Sequence, residues 1–143
     1  MKSPFVTHGL TKADVRRVAK HLGLPSWDKP AAACLSSRLP HGTPVTRERL
    51  LQIATFEAAL HDLGLRQVRV RWHGLEGVGG QLAGALARVE VAQEELDAAY
   101  AQHEAIARAG KTAGFLFVTL DLEGYRVGSQ NALLGRRALP ILP

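Results

Sequence analysis

Residues 67–73 read QVRVRWH, and this stretch alternates strictly: Val68, Val70 and Trp72 on one side, Arg69, Arg71 and His73 on the other. A two-residue period of this kind predicts a β-strand with one face on a core and the other basic. Arg69 and Arg71 then leave the strand about 7 Å apart, close enough to aim at one polyanion, phosphate or carboxylate. A plain solvent-facing basic strand is the alternative. Downstream, residues 86–92 (LARVEVA) resume the alternation, with Ala87, Val89 and Val91 opposite Arg88 and Glu90. The two segments predict an antiparallel pair. Glu90 would complete a charged surface across it, or form an ordinary cross-strand salt bridge with little effect if exposed. The intervening residues 74–84 are rich in glycine without a fixed period and read as a long flexible connection. Gly77, Gly79 and Gly80 within it match neither a Walker loop nor a dinucleotide fingerprint, so no ligand is assigned to them.

Helical periodicity flanks this pair. Residues 11–22 place Val15, Val18, Ala19 and Leu22 on one stripe behind a Thr11 cap, with Asp14 at the third helical position and Gly23 and Pro25 beyond the end. Residues 46–63 carry Leu50, Ile53, Ala54, Phe56, Leu60 and Leu63 toward a core and stop at Gly64. A third helix is expected over 93–109, ended by Gly110. Residues 114–122 (GFLFVTLDL) are apolar on both faces and read as a central strand. The order predicts an α+β fold: a small, mainly antiparallel sheet with helices packed on one face.

Composition sets the bounds. A chain of 143 residues buries one respectable core and leaves no room for a second full domain. Apolar residues at 46% and charged residues at 22% are those of a globular protein, which excludes disorder as the dominant state. The net charge of +5 favours anionic partners. The cations are nevertheless spread along the chain and not interleaved with aromatic rings, which argues against nucleic acid as the main partner. One cysteine excludes an intrachain disulfide and any centre built from several thiolates of one chain. No run of apolar residues is long enough for a membrane span or a signal peptide, so a cytoplasmic location is expected.

Residues 25–44 contain four of the seven prolines and the only cysteine, and form a constrained connection between an N-terminal remnant, residues 1–40, and a main domain, residues 41–143. Cys34 lies in KPAAACLSSR. Free cysteines are commonly small buried hydrophobes. The loop position, Arg38, and the hydroxyls of Ser36 and Ser37 favour instead a thiolate that acts as nucleophile or sulfur donor. The six histidines leave a Cys/His pair open, since nothing in the sequence brings one of them to Cys34. Glu57 falls near the edge of the apolar stripe of the second helix. It either reaches solvent or a surface arginine, or meets the Arg69, Arg71 and His73 face to orient those cations or hold a metal ion.

The segments SPFVTHGLTKADVRRVAKHLGLPSWDKPAAACLSSRLPHGTPVT, RVRWH, LARVEV and GFLFVTLDLEGYRVGSQNALL together resemble successive blocks of the ATP-dependent sacrificial sulfur transferases of nickel-pincer cofactor synthesis, the LarE family. WDKPAAACLSSR and LDLEGYRVGS are the most specific, and the blocks cover nearly the whole chain. The resemblance implies that ATP adenylylates a carboxylate of a pyridinium biscarboxylic acid mononucleotide, that a cysteine thiolate forms a thioester with it, and that the cysteine's own carbon–sulfur bond then breaks. Dehydroalanine remains on the protein and a thiocarboxylate on the product. Cys34 matches the sacrificial cysteine. Ser37 and Arg38 match the adjoining pocket, Arg69 and Arg71 the phosphate-binding strand, and Glu57, Glu90 and more loosely Asp97 acidic positions of the substrate or metal site. ATP and magnesium are the expected cofactors of the whole family protein. A single cysteine argues against the iron–sulfur relay of related enzymes with three cysteines.

Two departures qualify the resemblance. The SGGxDS loop of the family's ATP-pyrophosphatase (PP-loop) domain is absent from these residues, so ATP activation is expected from an ATP-binding half in trans, with residues 1–40 as the tail of that α/β domain. The chain is then a fragment, half of a split enzyme or a decayed copy. Residues 74–85 exceed the family's short turn, an insertion expected to disturb the hairpin that sets Arg69 opposite Glu90. A homo-oligomer is expected. The alternatives are a non-catalytic assembly domain and, from the wider PP-loop resemblance, a tRNA thiolation module.

Overall fold

A computed structural model describes residues 4–28 and 33–126; residues 29–32 of the proline-rich connection and 127–134 of the last resemblance block lie outside them. The chain divides into two compact units, Met1–Ala32 and Ala33–Pro143.

The first unit holds helices α1, Pro4–Thr7, and α2, Lys12–His21. Thr11 caps α2 as its sequence requires: the Thr11 hydroxyl accepts from the Asp14 amide, and the Asp14 carboxylate accepts from the Thr11 amide at 2.8 Å. This reciprocal box satisfies donors that the first helical turn cannot. The apolar stripe read from the sequence is present, but Val15, Val18 and Leu22 on it are exposed. Lys20 stacks over the Trp27 ring, 4.5 Å from its centroid.

The second unit opens with a 3₁₀ turn, Leu35–Arg38, and continues into α3, Arg47–Asp62, capped by the Thr46 hydroxyl. Strands β1, Val68–Glu76, and β2, Leu82–Val91, pair antiparallel in the register that sets Val70 against Val89 and Arg69 against Glu90. Next come α4, Leu96–Ala101, α5, His103–Thr112, and β3, Phe117–Leu120. The sheet order is β1-β2-β3. The α+β class expected from the sequence is the fold found.

Its core follows from periodicity. Ile53, Phe56 and Leu60 descend from α3 onto Val70, Val89 and Val91, all fully buried. Phe56 meets Phe115 with ring centroids 5.7 Å apart at a tilt of 48°. Each such side chain contributes about 1.5–3 kcal/mol through burial, so the α3 stripe and the inner faces of β1 and β2 carry much of the fold.

Four expectations change. Residues 74–84 are not a long connection: both strands run through them, and the turn closes between Gly77 and Gln81, where the Gly77 amide donates to the Gln81 carbonyl at 2.7 Å. The glycines that break the sequence pattern make room instead. A Cβ at Gly74 would lie 3.0 Å from Leu82 and 3.3 Å from the Trp72 ring, while Gly79 takes the left-handed conformation at the tip. The hairpin keeps Arg69 opposite Glu90, with one register irregularity between Leu75 and Glu76. The third helix is broken at Gln102, and it passes through Gly110 to end at Thr112. Finally, β3 lies at the edge of the sheet among the described residues, and it runs parallel to β2. The helical crossover between β2 and β3 returns the chain in the same direction, so the sheet is mixed.

Candidate functional site

The 33–39 segment is held from two sides, and both anchors are arginines. Arg38, only 4% exposed, donates from Nε and Nη2 to the two carboxylate oxygens of Glu57 at 2.9 and 3.2 Å. From Nη1 it donates to the carbonyls of Ala33 and Cys34 at 2.9 and 3.2 Å, and to the Ser37 hydroxyl. The Arg71 Nη1 donates to the Ser37 carbonyl at 2.9 Å, across the turn. The cysteine loop is thereby fastened to both α3 and β1.

Within that loop Cys34 is exposed. Its Sγ lies 2.9 Å from the Ser36 hydroxyl. That hydroxyl, followed by the Ser37 amide, holds the Cys34 thiol below the ordinary thiol pKa, since both stabilise a thiolate more than a thiol. A poised, accessible sulfur results.

The same loop borders a cleft of about 500 Å³ lined by Ala33, Ser36, Ser37, His41, Arg69 and Arg71, with Thr43 among its further lining residues. The arginine face of β1 read as solvent-exposed or anion-binding is mostly covered: Arg69 is 9% and Arg71 2% exposed. The cover is the 3₁₀ turn on Arg71 and the Tyr125 ring on Arg69, 4.4 Å from the guanidinium to the ring centroid. Burial lowers the Arg69 pKa from the ordinary arginine value, with Arg38 and Arg71 adding to the fall and Tyr125 and Glu90 opposing it. Arginine titrates so far above neutrality that the cation persists.

Glu90, fully buried, accepts from Arg71 Nε at 3.0 Å, and its other oxygen meets Arg88 Nη2 at 3.3 Å. Arg88 also pairs with Asp121. Arg71 and Arg88 are directly opposite in the ladder, and Glu90 between them offsets what would be a repulsive cross-strand pair. Both carboxylates proposed for a metal, Glu57 and Glu90, thus serve guanidinium groups, and Asp97 is exposed in the first turn of α4. Among the described residues no three of His, Cys, Asp or Glu converge as a metal centre, so this donor set fits arginine pairing better than a cation. The His73 Nε2 is buried without a partner among the described residues. Burial, with the Arg88 and Arg71 charges, lowers its pKa below the ordinary imidazole value.

The structure therefore brings Ser37, Arg69 and Arg71 to one cleft, with Cys34 exposed in the loop whose neighbours Ala33 and Ser36 line it, and it assigns Arg38 and Glu57 to holding the loop. Sequence reasoning missed His41 and Thr43 as cleft-lining residues and Tyr125 as the cover of Arg69. Only the specificity of the LDLEGYR block pointed toward the last of these.

No helix among the described residues is long and apolar enough to cross a membrane. No protein-family model matches the chain. The chain is 40% identical over 136 residues to an uncharacterized protein of Synechocystis, a match covering 93% of this chain and 47% of that protein. It is 35% identical over 128 residues to the pyridinium-3,5-bisthiocarboxylic acid mononucleotide synthase of Lactiplantibacillus plantarum, covering 90% of this chain and 43% of the synthase. The chain spans about half the length of these curated relatives. Over the stretch it spans, it is a sequence relative of that synthase.

Proposed function

We propose that this chain is the sulfur-donating part of an ATP-dependent sacrificial sulfur transferase, which converts a carboxylate of a pyridinium biscarboxylic acid mononucleotide to a thiocarboxylate. The observation that carries the reading is the exposed, Ser36-bonded thiol of Cys34 on a loop locked beside an arginine-lined cleft. The similarity to a mononucleotide synthase supports the substrate class.

Arg69 and Arg71 receive the phosphate of the mononucleotide, which suits two guanidinium groups on one strand face. The carboxylate arrives activated as an acyl adenylate, formed from ATP and magnesium in an ATP-binding half whose phosphate loop these residues do not contain. The Cys34 thiolate attacks the acyl carbon and AMP departs, leaving a thioester. A base then removes the Cα proton of Cys34; its electron pair forms the Cα–Cβ double bond, the Cβ–S bond breaks, and the thiocarboxylate leaves with the sulfur. Dehydroalanine remains at position 34, so each chain acts once. Arg38, through Glu57 and the loop carbonyls, holds the loop that carries the sulfur throughout.

The test supplies the chain with a chemically prepared acyl adenylate of the pyridinium mononucleotide, which bypasses the need for ATP activation. Thiocarboxylate should form with the wild-type chain and not with Cys34→Ala or Cys34→Ser. A non-catalytic assembly domain would give no product with any of them.

A further inference from the structure

The LDLEGYR segment, residues 120–126, has no part in the chemistry above, although the fold places it directly on the arginine face of the sheet. Its path is tightly specified. The Asp121 amide donates to the Val89 carbonyl at 2.8 Å and the Tyr125 amide to the Val91 carbonyl at 2.6 Å, so the segment follows β2 beyond the end of β3. Between these points the chain turns: the Asp121 carboxylate accepts from the Glu123 amide and its carbonyl accepts from the Gly124 amide. Gly124 has a φ of +65°, and a Cβ there would lie 3.0 Å from the Val91 carbonyl and 3.1 Å from Gln93 Oε1. Only glycine suits that position.

Both ends of this turn reach the cleft's cations. Tyr125 lays its ring over the Arg69 guanidinium, 4.4 Å to the centroid. Asp121 holds Arg88, Arg88 meets Glu90, and Glu90 holds Arg71. One short turn therefore bears on Arg69 directly and on Arg71 through a charge relay.

We propose that Tyr125 is a positioning residue for anion binding: by occupying one face of the Arg69 guanidinium it limits the movement of that side chain where it lines the cleft, so that Arg69 and Arg71 form a preorganised phosphate site. This rests on the reading that the cleft takes a phosphate-bearing substrate, and it adds the device that gives the cleft its shape. An arginine side chain has rotamer freedom that must be lost on binding; a ring stacked on it removes that freedom beforehand. The hydroxyl of Tyr125 has no part in the argument, so phenylalanine should serve equally well.

The test measures inorganic phosphate and nicotinic acid mononucleotide binding to the 143-residue chain by calorimetry, in the wild type and in Tyr125→Phe, Tyr125→Leu and Arg69→Ala. The expected result is unchanged affinity for Tyr125→Phe, loss of about fivefold for Tyr125→Leu, and a larger loss for Arg69→Ala. An independent readout is the Arg69 Cδ proton resonance, which the ring should shift upfield in the wild type and Tyr125→Phe but not in Tyr125→Leu. Equal affinity for Tyr125→Leu and wild type, with Arg69→Ala impaired, would overturn the inference while leaving the anion cleft in place. Binding that is absent from the wild type, or indifferent to Arg69→Ala, would overturn the cleft reading and this inference with it.

Discussion

Arg38 and Glu57 form a buried two-point ion pair, Nε to Oε1 at 2.9 Å and Nη2 to Oε2 at 3.2 Å, which joins the cysteine loop to the middle of α3. Glu57 Oε1 also accepts the Val70 amide of β1 at 2.9 Å, so one carboxylate fastens loop, helix and strand. Removing either partner strands a buried charge, at a cost of about 3–5 kcal/mol. Glu57→Ala should lower the urea midpoint accordingly. Glu57→Gln retains an acceptor for the Val70 amide and should cost less, about 1–3 kcal/mol. A Glu57→Ala midpoint equal to wild type would show that the pair does not hold the loop.

The Cys34 thiol should alkylate with iodoacetamide at a lower pH midpoint than an unperturbed cysteine, because the Ser36 hydroxyl and Ser37 amide stabilise its thiolate. Ser36→Ala should move that midpoint upward while leaving thermal stability nearly unchanged, since the pair is exposed. The rate of alkylation against pH, in the two proteins, checks this.

His73 gives stability a pH dependence of known sign. Its folded pKa lies below the ordinary 6.5 because burial and the Arg88 and Arg71 charges oppose protonation, against a weaker pull from Glu90. The unfolded chain therefore binds more protons in the window between the two values. The contribution is complete above about pH 6.5 and is lost as pH falls from there through the lowered folded pKa. Urea midpoints measured from about pH 5 to 8 should fall on acidification, and His73→Gln should flatten that slope.

Gly110 was expected to stop the helix, since glycine commonly follows a helix end, but α5 continues through it to Thr112, and its position in the packing was not legible. A Cβ there would lie 2.4 Å from Val118 Cγ2 and 2.9 Å from Phe56 Cζ, so the residue is glycine because α5 touches β3 and α3 at that point. Gly110→Ala should destabilise by about 1–3 kcal/mol through overpacking, read as a lower thermal midpoint.

The same contrast runs through the molecule. Caps and periodicities that act within a few residues were readable: Thr11 with Asp14, and the alternation of Val68 to Trp72. Features set by distant partners were not. The glycines at 74 and 84 resemble loop residues until Trp72, Leu82 and Leu116 are seen beside them. Phe117, at the edge, is 54% exposed, although its sequence looks like that of a central strand. The loop position of Cys34 and the shared strand face of Arg69 and Arg71, which line one cleft, were readable from proline content and strand period. The role of Arg38 was not, because a sequence does not say whether a guanidinium turns to a ligand or, as here, to Glu57 and the loop carbonyls.

The sacrificial role of Cys34 is tested most directly by intact mass and peptide mapping of the chain after reaction with the activated mononucleotide. The account predicts a loss of about 34 Da, one hydrogen sulfide, located at residue 34 and equal in amount to the thiocarboxylate formed. Thiocarboxylate formed in excess of the protein, or by a chain whose mass is unchanged, would contradict it.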